Sequence, residues 1–310
     1  MQIRIAAVVE GGFCSGVRVN EVSRVWVPPW VLDIRGTVEC LHRGSGDPAM
    51  RYAPDGSVWR ASHTPDGPGT LRLLAVPEGV RGTGWGPGGP WLVEHFPELI
   101  GALDDPEELR TDDPVVNGLV HRARGFRICR TGRVWEALVP AILEQKVVGT
   151  EAFRAWRYLL RRFGEPAPGP VAASMRVPPP PQVWAQIPSW EWHRSGIEPV
   201  RMRTIRGATS MDVERHPDKL TVLRGVGPWT AAETRMRAVG DPDAVPVGDF
   251  HIPRVVGQTL AGSPVDDAGM LELLEPFAGQ RGRVVRLCVR YGEWPQRKGP
   301  RMSVRDYRSL

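Results

Sequence analysis

Leu220-Thr221-Val222-Leu223-Arg224-Gly225-Val226-Gly227-Pro228-Trp229-Thr230-Ala231-Ala232 is the stretch on which the fold turns. Pro217 and Pro228 both suit the first turn of a helix, where a missing N–H leaves nothing unpaired. The spacing therefore predicts one helix from Pro217 to Arg224 and a second opening at Pro228. Gly225-Val226-Gly227 between them allows a turn too tight for side chains, with Val226 placed to pin the two helices together. The N–H groups of the second helix's first turn lack intrahelical partners and carry the positive end of its dipole, a surface that suits a phosphate. An ordinary αα-hairpin needs the same residues, and the turn alone does not choose between the two readings.

Just beyond the second helix, Val245-Pro246-Val247-Gly248-Asp249-Phe250-His251-Ile252 is a short apolar run ending in a single carboxylate. An isolated loop aspartate is commonly a surface or capping residue. His251, two residues on, is open to three readings: it orients Asp249, touches a phosphate, or is a half-exposed loop side chain. Upstream, Val134, Leu138 and Ile142 with Trp135, Val139 and Leu143 recur at helical spacing, and Phe153, Trp156, Leu159, Leu160 and Phe163 form the next amphipathic helix. Pro166 to Pro181 reads as a proline-rich connector, and further helices are expected near 197–209, 217–224, 228–239, 268–277 and 282–291.

Toward the N-terminus the period changes from 3.6 to 2. Met50-Arg51-Tyr52 and Val58-Trp59-Arg60-Ala61 flank the turn dipeptide Asp55-Gly56, and Pro65-Asp66-Gly67 precedes the alternating run Thr70-Leu71-Arg72-Leu73. This is a β-meander. Gly82 to Pro90 reads as a plain connecting loop, since no apolar strand precedes its GxG and prolines interrupt the residues after it. The expected fold is α+β: residues 1–26 an extension of uncertain role, 27–110 a small domain built on an antiparallel sheet, and 111–310 an all-helical domain with a basic C-terminal tail.

At 310 residues the chain can bury a sizeable core, which excludes a disulfide-stapled miniprotein. The net charge of +5 is unevenly placed: residues 281–310 alone hold nine basic and two acidic side chains. That segregation points to a polyanion, with nucleic acid ahead of phospholipid, or to a solvated arginine-rich surface. Cys14, Cys40, Cys129 and Cys288 lie far apart, so neither a zinc knuckle nor an iron–sulfur cluster has its ligands, and they read as small buried residues of a reducing compartment. No apolar run approaches the length of a membrane span. A soluble, monomeric, cytoplasmic protein without membrane partners is expected.

Taken together, the hairpin, Asp249 and the helix Trp135-Glu136-Ala137-Leu138-Val139-Pro140-Ala141-Ile142-Leu143-Glu144-Gln145-Lys146-Val147 resemble the DNA-3-methyladenine glycosylase II family of the helix-hairpin-helix DNA glycosylase superfamily. The resemblance spans about residues 30 to 310. It implies a base-excision-repair enzyme that flips an alkylated purine, 3-methyladenine or 7-methylguanine, out of duplex DNA and hydrolyses its N-glycosidic bond. Asp249 falls at the family's essential aspartate, which would stabilise the oxocarbenium-like sugar and activate water. Relatives that also nick the backbone carry a lysine at the position of Trp229, so no lyase activity is expected.

The resemblance further implies DNA contacts at Gly225, Val226, Gly227, Trp229, Thr230, Gln145 and Lys146, the last standing where better-known members insert an apolar wedge. No cofactor is required. A monovalent cation, sodium or potassium, would sit on the backbone carbonyls of Thr221, Leu223 and Val226. Trp190, Trp192, Glu233 and His251 are named for the base pocket; Glu233 would either favour a cationic base or face solvent. The basic tail from Arg281 through Arg283, Arg286, Arg290, Arg297, Lys298, Arg301, Arg305 and Arg308 would grip phosphates, about five contacts giving a log-affinity against log-salt slope near −4 to −5. Two alternatives stay open: a DNA-binding protein without glycosylase activity, and a glycosylase for another lesion such as hypoxanthine.

Overall fold

Leu71 and Leu73 are buried while Arg72 between them faces outward, the period of a sheet with one covered face. In the computed structural model, which describes residues 21–296, that sheet has five antiparallel strands: β1 (Glu21–Trp26), β2 (Met50–Tyr52), β3 (Val58–Thr64), β4 (Gly67–Val76) and β5 (Gly79–Trp85). Their order is β1-β5-β4-β3-β2, so β2 to β5 form the meander that the turn dipeptides foretell. A short helix, α1 (Ile34–Val38), precedes β2, and α2 (Gly89–Leu99) covers one face of the sheet with Leu92, Val93 and Phe96.

Two expectations are corrected here. Residues 21–26 belong to the sheet and not to an extension: they pair with β5 from Glu21 opposite Trp85 to Trp26 opposite Val80. That partner lies far along the chain, where no local pattern announces it. Gly82 to Pro90 is likewise no plain loop, since it contains the end of β5 and the start of α2. The glycines there serve close approach: a Cβ on Gly82 would fall 2.4 Å from the Phe96 ring, and one on Gly84 would fall 2.4 Å from the Gly89 carbonyl.

The helical part begins with α3 (Pro114–Arg122), α4 (Val134–Leu143) and α5 (Gly149–Phe163). A two-strand clip, β6 (Glu165–Pro166) with β7 (Arg176–Val177), interrupts the proline-rich connector. Beyond it come α6 (Pro181–Gln186), α7 (Ser189–Ser195), α8 (Pro199–Ala208), α9 (Pro228–Val239), α10 (Ile252–Ala261), α11 (Asp267–Leu274) and α12 (Arg281–Tyr291). Pro217 to Arg224 does not make a helix of its own; only a single 3-10 turn, Leu220–Val222, forms ahead of the hairpin glycines. Such a short arm has too few backbone hydrogen bonds to continue as a helix, and Leu220 anchors it by burial in the core.

The helical part holds two apolar cores. One gathers α4, α5, α6, α7, α8 and α9 around Leu138, Ile142, Leu159, Trp184 and Ile205; the other joins α3 to α10, α11 and α12 around Leu119, Val256, Met270 and Val284. The hairpin belongs to the first core through Val226, and α10 belongs to the second, so the loop between α9 and α10 joins two separately packed cores.

Ion pairs lock these bodies to the sheet. Glu136 on α4 accepts from Arg60 and from the Ser62 hydroxyl, each at 2.7 Å. Arg283 on α12 pairs with Asp104, both of them buried, and Asp104 also accepts the Ile128 N–H at 3.0 Å. These pairs overturn part of the basic-tail expectation. Arg281 is held by Asp243, Arg286 by Glu233 and Arg290 by Glu39, so these arginines and Arg283 join parts of the protein and are not spare charges for phosphate. The tail residues Arg297, Lys298, Arg301, Arg305 and Arg308 lie outside the described residues, as does Cys14.

Candidate active site

Asp249 stands in the loop that opens α10, and three N–H groups converge on its carboxylate. Oδ1 accepts from the backbone N–H of His251 at 2.7 Å and of Ile252 at 2.9 Å, and Oδ2 accepts from the indole Nε1 of Trp229 at 2.9 Å. The residue therefore does cap a helix, the ordinary role of a loop aspartate, but the indole is an addition that capping does not need. A carboxylate offers about four acceptor positions, so one stays free on a side chain that is only half-buried.

The hairpin fixes Trp229. Val226 is buried, as the sequence implies, and Gly225 sits at φ +91 with the position of a Cβ only 2.2 Å from the Thr204 hydroxyl of α8. Gly225→Ala is therefore expected to cost about 1–3 kcal/mol, read as a lower midpoint in thermal or urea unfolding. Opposite the turn, Gln145 donates from Nε2 to the Gly225 carbonyl and to the Thr230 hydroxyl, each at 2.8 Å. Thr230 is buried with its hydroxyl engaged, so Thr230 and Gln145 shape the turn and do not reach out to a ligand.

Lys146 comes next at φ 52, the one positive-φ residue besides glycine among the described residues, and its side chain is exposed. Arg201 of α8, which no sequence pattern flags, holds this loop by donating to the Gln145 carbonyl at 3.1 Å. Around Asp249 the surface is unusually apolar: Phe250 is 72 % exposed, and Trp294 at 56 % lies near the His251 ring, itself edge-on to Phe250. His251 reaches Asp249 through its backbone N–H and not its imidazole.

The pocket residues named from sequence scatter. Trp192 is 1 % exposed inside the first helical core, against Trp184, and cannot wall a pocket. Trp190, on the same α7, is exposed. Glu233 faces neither a base nor solvent: it is buried between Arg237 and Arg286. Burial alone would raise its carboxyl, but the two guanidinium charges outweigh that and hold it at about 2.

A cavity of about 160 Å³ instead opens between α1, the segment Phe126 to Cys129, α9 and α12, with Met236, Arg286 and Arg290 in its lining. Met236 lies seven residues after Trp229, two turns or about 10 Å along the same face of α9. Asp249 and the cavity thus lie on one side of that helix. Nothing in the spacing of the sequence announces the cavity, because its walls come from four separate segments.

Comparison with known proteins places this geometry. Three solved structures share the fold. A 3-methyladenine DNA-glycosylase from Archaeoglobus fulgidus superposes with a TM-score of 0.69 at 16 % identity, covering 86 % of this chain and 97 % of that one. The Clostridium acetobutylicum 8-oxoguanine glycosylase/lyase in its apo form gives 0.69 at 13 %, covering 88 % and 98 %. MBOgg1 bound to a low-affinity DNA ligand gives 0.66 at 17 %, covering 88 % and 97 %. In sequence, the Mycobacterium tuberculosis protein named "Probable bifunctional transcriptional activator/DNA repair enzyme AlkA" is 30 % identical over 230 residues, 66 % of this chain and 44 % of that protein.

The chain is thus similar in fold to DNA glycosylases and in sequence to a protein named as a DNA repair enzyme.

No family model matches it, and it spans less than half the length of the curated relatives it matches. The indole of Trp229, at the start of α9, is spent on the carboxylate of Asp249. No described helix is long and apolar enough to cross a membrane.

Proposed function

We propose that the chain is a monofunctional DNA glycosylase that hydrolyses the N-glycosidic bond of an alkylated purine, such as 3-methyladenine or 7-methylguanine, turned out of duplex DNA. The observation that carries this reading is Asp249, fixed by the first N–H groups of α10 and by Trp229, which stands two residues after the Gly225–Gly227 turn. The open N–H groups at the start of α9 hold a phosphate of the damaged strand, with exposed Lys146 on the duplex beside it. In this reading the cavity beside Met236, about 160 Å³, takes the flipped base. As the bond breaks, the Asp249 carboxylate stabilises the positive sugar, and its free acceptor position takes the proton of the attacking water. The exposed Phe250 and Trp294 cover the duplex side of Asp249 and exclude solvent.

The hairpin carbonyls of Thr221, Leu223 and Val226 would hold a monovalent cation. The fit is reasonable, because carbonyl oxygens suit sodium or potassium and a Cβ on Gly227 would meet nothing within 4 Å, so the outer side of the turn is open. When bound, such an ion adds positive charge beside the phosphate. The protein acts as a monomer in the cytoplasm, a compartment that suits its free thiols.

Base release measured across 3-methyladenine, 7-methylguanine, hypoxanthine and uracil duplexes tests the function. Release of a methylated purine is the expected result, and duplex binding without release of any base would leave only a DNA-binding module. The hairpin carries two more expected outcomes. No covalent protein–DNA adduct is trapped by borohydride, since Trp229 supplies no amine. Lys146→Ala weakens duplex binding alike for damaged and undamaged DNA, and flattens the salt slope by about one unit.

A further inference from the structure

Cys40 and Cys129 meet at the wall of the same cavity, with Sγ to Sγ at 3.4 Å, although they lie in different parts of the sequence. Cys40 lies just after α1 in the turn Glu39–Leu41 and is partly exposed, whereas Cys129 is buried in the segment that leads to α4. The Cys40 backbone is clamped: its carbonyl accepts from Arg43 Nη1 at 2.7 Å and from Arg237 Nε at 3.0 Å. Neither thiol has a part in the chemistry assigned to Asp249.

We infer that Cys40 and Cys129 form a peroxide-reactive site whose oxidation to a disulfide closes the cavity. The surroundings favour Cys40 as the attacking sulfur. The hydrogen bond from Cys129, then the charges of Arg237, Arg286 and Arg43, hold its thiol below the usual value against the opposing effect of burial. Cys129 moves the other way, through its bond to Cys40 and then burial, and remains a thiol.

The Cys40 thiolate attacks one oxygen of hydrogen peroxide. An S–O bond forms, the O–O bond breaks, and hydroxide leaves to take up the proton that Cys40 had lost. The Cys129 sulfur then displaces water from the sulfenic acid, carrying off its own proton, and the S–S bond forms. Peroxide accepts two electrons and the thiol pair supplies them. Closure from 3.4 Å to about 2.0 Å pulls the turn after α1 onto the 126–129 segment and narrows the cavity between them. The functional consequence rests on the reading of that cavity as the base pocket.

The test treats the full-length protein with hydrogen peroxide and reads two quantities: peptide mapping of the crosslink, and single-turnover base release before and after dithiothreitol. The expected result is a 40–129 peptide lighter by two hydrogens, a loss of base release of tenfold or more, and recovery of both on reduction. Cys40→Ser removes the crosslink, and peroxide leaves that variant's base release at its own untreated level, whatever that level is. If mapping finds Cys40 oxidised beyond the sulfenic acid with no crosslink, or finds both thiols unreacted, the inference is overturned while the glycosylase reading stands. A crosslink that leaves base release unchanged overturns the closure. If the untreated protein releases no base, the function fails instead, and the mapping still decides the thiol chemistry.

Discussion

Asp249→Asn lowers base release by about 10²–10⁴-fold while leaving the fold and duplex binding in place. The amide oxygen still accepts the two N–H groups that open α10, so the cap persists, whereas the charge that would face the sugar is gone. The amide nitrogen also turns a donor toward the Trp229 indole, which now lacks an acceptor. Single-turnover base release and a gel shift on the same lesion duplex separate the two effects, with unfolding midpoints as a control. Release close to wild type would remove Asp249 from the chemistry and reduce it to the helix cap that its hydrogen bonds already make it.

Glu233→Gln carries the largest expected stability loss, roughly 3–5 kcal/mol, because it strips buried Arg237 and half-buried Arg286 of their shared counter-charge. The neutral amide keeps the shape, so the loss comes from charge and not from packing. The pH dependence has the same origin. Because folding holds this carboxyl at about 2 instead of its ordinary 4.5, its contribution is complete above about 4.5 and disappears as the pH falls toward 2. Unfolding midpoints of wild type should therefore drop across that window, and those of Glu233→Gln should drop less. Equal acid sensitivity of the two proteins would show that the triad of Arg237, Glu233 and Arg286 contributes no net stability.

Much of the architecture was legible because its causes are local. Helices at 134–143, 149–163 and 228–239 arise from apolar spacing, the last two closed by Gly164 and Gly240, and the meander arises from alternation between turn dipeptides. Gly225-Val226-Gly227 declared the hairpin, since the φ of +91 at Gly225 is open to few residues other than glycine. The features that stayed hidden mostly depend on distant partners. Strand β1 has no reason to be a strand except β5, and Trp190 and Trp192 look equally suited to a pocket although one is exposed and the other is core.

The arginines make the same point in charge. Their excess toward the C-terminus is visible in composition, but whether each meets a phosphate or a carboxylate is decided by which segment packs against it, and Arg281, Arg283, Arg286 and Arg290 meet Asp243, Asp104, Glu233 and Glu39. The sequence by itself determined the hairpin, the helical periods, the sheet and the placing of one aspartate after the second hairpin helix, because backbone conformation and hydrophobic spacing act over a few residues. Only the tertiary structure decided that Trp229 holds Asp249, that Glu233 is buried between two guanidinium groups, and that Cys40 and Cys129 meet at the wall of one cavity. Those contacts join side chains far apart in the chain, and a hydrogen bond or ion pair depends on distance in space, which sequence spacing does not carry.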